Sequence, residues 1–161
     1  MRKRSSYRPG NVNPAAYLMA MMGAACMSRS DVLKRGMNLA DAVEKTAKAT
    51  ATQEDWRLIF DCVNMVEQLA RMKIVAGLDV LETLQTQIVG IMDRQRDTGT
   101  KALRSSELAA LRDFAADYTT VLRGVTQQQY MTAQRAVEDR IRRILSSETI
   151  PASVRVIEAV A

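Results

Sequence analysis

Five residues near the start of the chain have side chains suited to a negatively charged partner. Arg2, Lys3, Arg4 and Arg8 place four positive charges in the first ten residues, with no acidic residue among them. Tyr7 stands between the cations, and basic stretches that contain an aromatic ring can neutralise phosphates while stacking on nucleic-acid bases. A solvated tail is the alternative, since close cations repel one another in a compact structure. The sequence therefore predicts a basic flexible arm over residues 1–12, and leaves both roles open.

A second group of cations lies near the end of the last predicted helix. It contains Arg135, Arg140, Arg142 and Arg143. Glu138 and Asp139 are interleaved with these arginines and precede Arg142 and Arg143 by four residues, the favourable order for ion pairs on a helix surface. This mixture favours a solvated face over a phosphate site. Arg140 and Arg143 remain candidate partner- or nucleic-acid-binding residues.

The side chains of common catalytic sites are missing. The chain has no histidine, which removes the most frequent acid–base catalyst and the usual triads. Neither a GxxxxGK[ST] phosphate loop nor a GxGxxG turn is present. Glu54 and Asp55 fit the first turn of a helix, where the dipole favours carboxylates, and Asp61 is interpreted as exposed or hydrogen-bonded. We therefore expect a protein that is not an enzyme and needs no cofactor.

Cys26 and Cys62 are the only cysteines. Their spacing is compatible with a disulfide, but two buried reduced thiols are the favoured interpretation for a helical protein of this size and fit a cytoplasm. Two thiolates without histidine leave a four-ligand zinc site incomplete. The sequence therefore predicts no metal site.

The positive charge is concentrated in the arm. The chain has 23 Lys and Arg against 18 Asp and Glu, a net charge of +5. Subtracting the four cations of the arm leaves 19 bases and 18 acids, or +1, for residues 11–161. This distribution argues against a protein that coats nucleic acid with its whole surface. It permits an arm that contacts phosphate or an acidic partner surface.

The apolar run Ala15–Met27 follows a basic start, as in a secretion signal. However, the polar and turn-rich segment Arg8–Pro14 separates the cations from this run. Asn13 and Pro14 also fit an N-cap followed by a first-turn proline, which begins an ordinary helix. No run approaches the roughly 20 apolar residues that span a bilayer. We favour a cytoplasmic protein without membrane contact, with secretion as the alternative.

Composition and periodicity indicate that helices position these groups. Aromatic residues make up only 4%, whereas Met, Ala and Leu, which suit helices, are frequent. Glycine (7) and proline (3) are too few for the turns of an all-β fold. We predict an all-α, compact bundle of about five to six helices in a single domain over residues 13–150, followed by a tail over 151–161. The predicted helices cover residues 14–27, 31–49, 52–76, 106–123 and 126–145, and a further helix follows Gly77, with Asp79 as its candidate cap and Gly99 as its terminator.

The segment Thr52–Ala76 is predicted to be the central helix of the bundle. It contains the only tryptophan, Trp56, and its apolar residues recur at helical spacing over a wide arc. Thr52 followed by Asp55 is typical of an N-terminal cap. Gly77 is expected to close the helix in a left-handed conformation.

Other local features predict how the remaining helices begin and pack. Gly36 is expected to weaken or kink its helix, whereas Gly90 is expected to permit the close approach of a neighbouring helix. Ser105 is expected to cap a helix, and the spacing of the last helix places Ile141 on its buried face. Thr126 and the glutamine three residues later resemble a capping box.

The opening RKRSSYRP (Arg2–Pro9) and the central ATQEDWRLIFDCVNMVEQL together resemble a group of small, largely uncharacterised proteins of proteobacterial phages, prophages and plasmids. In that group a basic RKRSxYRP-type start accompanies a helix with a VNM-E-L core. The resemblance covers about a third of the chain and implies an accessory protein of a mobile element. Asn64 and Glu67 are the polar members of this core. They are interpreted as residues that hydrogen-bond between helices, or alternatively as a partner-recognition spot.

These observations lead to three functional hypotheses. The first is a non-enzymatic accessory protein in the host cytoplasm that binds a host or phage macromolecule, for example to inhibit a host defence or regulatory protein. The second is a nucleic-acid-binding accessory protein that uses its basic arm. The third is a structural homo-oligomer.

Overall fold

Five helices make up most of residues 25–146, which are the residues that this computed structural model describes. They are α1 (Arg29–Ala47), α2 (Gln53–Arg71), α3 (Leu78–Thr98), α4 (Ser105–Arg123) and α5 (Gln127–Ser146). The predicted all-α bundle is confirmed. The arm at 1–12, almost all of the helix predicted at 14–27 and the tail at 151–161 lie outside the described residues.

Helices α1 to α4 surround a common core. Each contacts the next along the chain, α4 packs back on α1, and α2 also contacts α4 across the middle. Helices α1 and α4 are antiparallel, since Gly36 lies against Thr119 and Glu44 pairs with Arg112. Short connections between consecutive helices favour such antiparallel neighbours. Helix α5 lies outside this group and packs on α2.

The apolar stripes predicted from helical spacing form the core. Leu81, Leu84, Ile88 and Ile91 on α3 are all buried, and Trp56 on α2 is buried as well. On α5 the buried apolar stripe consists of Tyr130, Ala133 and Val137. The inward placement expected for Ile141 is wrong, because the buried stripe of α5 ends at Val137 and the Ile141 side chain is 39% exposed.

The central helix begins as predicted but ends earlier. Thr52 and Asp55 form a capping box, in which the Thr52 N–H donates to Asp55 Oδ2 at 2.8 Å and the Asp55 N–H donates to Thr52 Oγ1 at 3.3 Å. Helix α2 ends at Arg71, and Lys73, with φ 58°, follows it in the left-handed region. Gly77, with φ 97°, instead precedes the first residue of α3. The apolar pattern in the sequence extends beyond the helix end at Arg71, because Met72, Ile74 and Val75 in the connection between α2 and α3 also pack against the core.

The close helix approach that the sequence predicted at Gly90 occurs at Gly36 instead. Gly36 lies within α1 and faces α4 so closely that a Cβ there would collide with the Thr119 side-chain methyl. A Cβ added at Gly90 would meet no atom within 4 Å. The α1–α4 contact is therefore closest at Gly36, where a side chain would require Thr119 to move.

The remaining local expectations are met in part. Helix α4 starts at Ser105, but the N-cap position belongs to Arg104, whose N–H donates to the Glu107 carboxylate at 2.7 Å. The capping box at Thr126 is confirmed, with reciprocal bonds to Gln129 of 2.9 and 3.2 Å. Both cysteines are free thiols, and Cys62 is buried as expected. Cys26 is exposed, because its extended segment pairs with Thr126 at the surface instead of lying in a helix.

A pair of glycine substitutions tests the α1–α4 contact. Gly36→Ala should lower the free energy of unfolding by about 1–3 kcal/mol, because the new methyl group overpacks the interface. Gly90→Ala should raise it by up to about 1 kcal/mol, since open space is available and alanine favours helix. Urea denaturation of both variants measures the two effects. If Gly36→Ala stabilises the protein, the α1–α4 interface has room for the added methyl group and the expectation is contradicted.

Candidate functional site

The carboxylate of Glu67 is buried next to Arg140, one of the binding residues predicted from the sequence. Glu67 lies on α2 where α3 and α5 approach, and the residue is only 6% exposed. Gln85 on α3 donates its Nε2 to Oε2 at 3.1 Å, and Arg140 on α5 donates its Nη2 to the same oxygen at 3.1 Å. A buried carboxylate is tolerated when donors surround it. Glu67 therefore connects three helices.

Arg71 completes this cluster from one turn further along α2. Its Nε donates to Glu67 Oε1 at 2.8 Å, and its Nη2 lies 2.7 Å from the same oxygen. Burial by itself raises the pKa of Glu67, but the hydrogen bonds and positive charges of Arg140 and Arg71 outweigh it. The pKa consequently lies below the usual glutamate value. Glu67 is thus an anion that its neighbours hold in the charged form.

The structure separates the two candidate arginines of α5. Arg140 is partly enclosed and bound to Glu67, whereas Arg143, three residues later on the same side of the helix, is exposed. The Nε of Arg143 donates to the backbone carbonyl of Asp139 at 3.2 Å. The other candidates, Arg2, Lys3, Arg4, Tyr7 and Arg8, lie outside the described residues.

The sequence did not single out Arg71 or Gln85. For Arg71 a signal was present, since it follows Glu67 by four residues, the spacing of an ion pair on a helix. Gln85 had no such signal, because its contact depends on how α3 packs against α2. Glu67 itself makes the interhelical hydrogen bonds expected for the polar residues of this stretch. Asn64 is partly buried, and no interhelical bond from its side chain occurs within residues 25–146.

The outer side of α5 is a solvated mixture of charges, as expected, but its pairing differs. Asp139 lies 3.3 Å from Arg142 instead of pairing its carboxylate with Arg143. Glu138 accepts a hydrogen bond from Gln134. Such exposed contacts hold the side chains only weakly, because each contributes only about 0–1 kcal/mol to the stability of the fold.

Apolar side chains interrupt the polar surface in the last two turns of α5. Leu145 is 72% exposed and Ile141 is 39% exposed, with Arg142 and Arg143 between them along the chain. We call these four residues the α5 end surface. Arginine and large apolar side chains together are typical of protein-binding patches.

A second buried carboxylate occurs at the other end of α3. Glu107 on α4 receives two hydrogen bonds of 2.6 Å from the guanidinium of Arg94. These bonds hold the pKa of Glu107 below its usual value despite burial. The pair lies beside an open cleft of about 530 Å³ between α3 and α4. In this cleft Gln87 and Gly90 also line the wall, and Gln87 Oε1 is buried without a partner among the described residues.

The buried thiol does not have the properties of a nucleophile. Burial raises the pKa of Cys62 to about 11, although Tyr118 hydrogen-bonds to it. Tyr130 lies nearby and accepts a 2.8 Å hydrogen bond from Arg35. The thiol is therefore protonated at neutral pH, and this polar group links α1, α2, α4 and α5 inside the bundle.

Residues 25–146 contain no group of three or more Cys, Asp or Glu side chains arranged to hold a metal ion. Within the same residues, no helix combines the length and apolarity that crossing a membrane requires.

Comparison with known proteins found no matching family model, curated protein or solved structure. The site is therefore interpreted from its own geometry.

The two arginines of α5 should differ in their effect on stability. Arg140→Ala removes a charged hydrogen bond to the buried Glu67, so the free energy of unfolding should fall by about 1–3 kcal/mol. Arg143→Ala should change it by less than about 0.5 kcal/mol, as for surface positions in general. Chemical denaturation of the two variants provides the comparison, and equal losses would contradict the structural role of Arg140.

The pH dependence of stability should report the charge of Glu67. Its folded pKa lies below the reference value of 4.5, so its contribution is complete above that value and is lost as the pH falls through the folded pKa. Glu67→Gln should therefore destabilise the protein at neutral pH, by about 1–3 kcal/mol. The difference from wild type should shrink in acid. Urea-denaturation midpoints of wild type and Glu67→Gln, measured from neutral to acidic pH, test this expectation. A stability difference that does not change with pH would refute it.

Proposed function

We propose that this chain is a non-enzymatic accessory protein of a phage or plasmid that acts by binding a macromolecule in the host cytoplasm, with a protein as the favoured partner. The observation that carries this proposal is the α5 end surface. Ile141 and Leu145 expose large apolar side chains on one side of the last two turns of α5, and Arg142, three residues before Leu145, lies beside them. Apolar surface that folding leaves in water supplies binding free energy when a partner covers it.

The internal chemistry of the bundle supports binding over catalysis. Both buried carboxylates, Glu67 and Glu107, are neutralised by arginines and have lowered pKa values, so neither is poised to exchange a proton near neutral pH. Cys62 has a raised pKa and is protonated. The ionisable groups inside the described residues thus hold helices together. The resemblance of RKRSSYRP and the α2 segment to mobile-element proteins supports the biological setting.

A nucleic-acid-binding role is the second candidate, and the arm is the feature that favours it. Arg2, Lys3, Arg4 and Arg8 carry no neighbouring acid. The described body adds little, because Arg140 already binds Glu67 and residues 25–146 contain 18 bases against 16 acids. If the arm binds nucleic acid, deleting residues 2–8 should weaken the affinity for DNA or RNA and reduce the salt dependence of the remaining binding.

Affinity capture from host lysate with matched surface variants tests the favoured role. The double substitution R143E/L145D changes the α5 end surface, and R57E/V80D makes the same kinds of change at exposed positions of α2 and α3. We expect wild type and the control to retain a common protein that R143E/L145D loses. Loss in both variants, or capture of nucleic acid alone, contradicts the proposal. Light scattering of the purified chain distinguishes a homo-oligomer.

A further inference from the structure

Two arginines converge on Glu67 at the contact between α2 and α5, and a third follows one turn later on the same side of α5. Arg71 and Arg140 bind opposite oxygens of Glu67, and Arg143 is the third arginine. The side chain of Arg71 is 55% exposed and that of Arg140 is 32% exposed, so both guanidinium groups reach solvent while their inner N–H groups bind the buried anion. We call Arg71, Arg140 and Arg143 the arginine triplet.

Within residues 25–146, the triplet carries more positive charge than the one carboxylate bound to it. Glu67 lies between two guanidinium groups, so these three groups together have one net positive charge, and Arg143 adds another. The nearest acid on α5, Asp139, directs its carboxylate to Arg142 and only its backbone carbonyl to Arg143. An anion at this position gains attraction from a partly desolvated cluster, where charges interact more strongly than in bulk water.

Glu67 also lowers the entropic cost of binding. Long arginine side chains lose rotamer freedom when they hold a ligand, at about 0.5–1.5 kcal/mol per side chain. Arg71 and Arg140 are already held by Glu67. A guanidinium has five N–H donors, and Glu67 engages only some of those on each arginine. The remaining donors form planar forks that match the two oxygens of a carboxylate.

The charge of the surrounding body favours a protein carboxylate over a nucleic-acid backbone. Residues 25–146 have a net charge of 18 − 16 = +2, which gives weak long-range attraction for a polyanion. Nucleic-acid affinity grows with the number of phosphates neutralised, and three arginines at one position contact few of them. A protein segment needs only one or two acidic side chains here.

We propose that the arginine triplet is a carboxylate-binding site that holds aspartate or glutamate side chains of an acidic partner segment. The proposal rests on the proposed protein-binding function and specifies the chemistry of the partner. Glu67 is the positioning residue, and the three arginines contact the ligand.

Titration of the ¹⁵N-labelled chain with a short synthetic glutamate–alanine peptide tests this site directly. The Nε–Hε signals of the triplet should shift in a saturable way, whereas that of Arg57 should not. Arg57 is an exposed arginine on the same helix as Arg71, about 21 Å away along the helix axis. Arg143→Ala and the charge-conserving Arg71→Lys should each weaken peptide binding by about tenfold, and Arg57→Ala should leave it unchanged. Thermal unfolding of each variant confirms that it is folded.

Several outcomes would overturn the carboxylate site. If Arg71→Lys binds the peptide as tightly as wild type, the site attracts negative charge without needing the two parallel N–H donors of a guanidinium. If the Nε–Hε signal of Arg57 shifts as much as those of the triplet, the peptide associates non-specifically. Tighter binding of single-stranded oligothymidine through the triplet would assign the site to phosphate. If the peptide fails to bind but lysate capture still depends on Arg143 and Leu145, the carboxylate site fails and the proposed function stands. If lysate capture fails while the peptide binds, the carboxylate site stands and the proposed function fails.

Discussion

Burial of the Glu67 carboxylate is the constraint on which the placement of α5 depends. An anion removed from water must find donors, since the cost of leaving a charge unpaired is several kcal/mol. Gln85 and Arg140 supply donors from two other helices, and Arg71 supplies them from its own. Helix α5 packs mainly on α2, so this ionic contact, a short apolar stripe and the hydrogen bond from Arg35 on α1 to Tyr130 determine its position.

A steric constraint acts in the same way on the four inner helices. At Gly36 the absence of a side chain lets α1 and α4 approach closely, and their contact is the most extensive between any two described helices. The Arg94–Glu107 pair fixes α3 to α4 by two short hydrogen bonds. The buried ionisable groups of the inner bundle are thus already packed or paired. The surfaces proposed for binding therefore lie on and beside α5.

The proposed functions share one physical idea. The buried carboxylates of Glu67 and Glu107 are paired with arginines, and both proposed binding surfaces lie on or beside α5. The α5 end surface supplies apolar area, and the arginine triplet supplies directional charge. A partner that is both acidic and apolar would use the two together, because carboxylates fix the orientation and burial of apolar area contributes affinity.

Local sequence patterns determined which segments are helical and which faces are apolar. The α3 stripe and the caps at Thr52 and Thr126 follow from interactions within a few residues, so periodicity and capping chemistry were sufficient. Tertiary structure alone decided that α2 stops at Arg71, that Gly36 and not Gly90 marks the close contact, and that Arg140 binds Glu67 while Arg143 stays exposed. Each of these depends on residues far apart in the chain being brought together. Spacing along one helix predicts which side chains share a face, but it does not predict what that face meets.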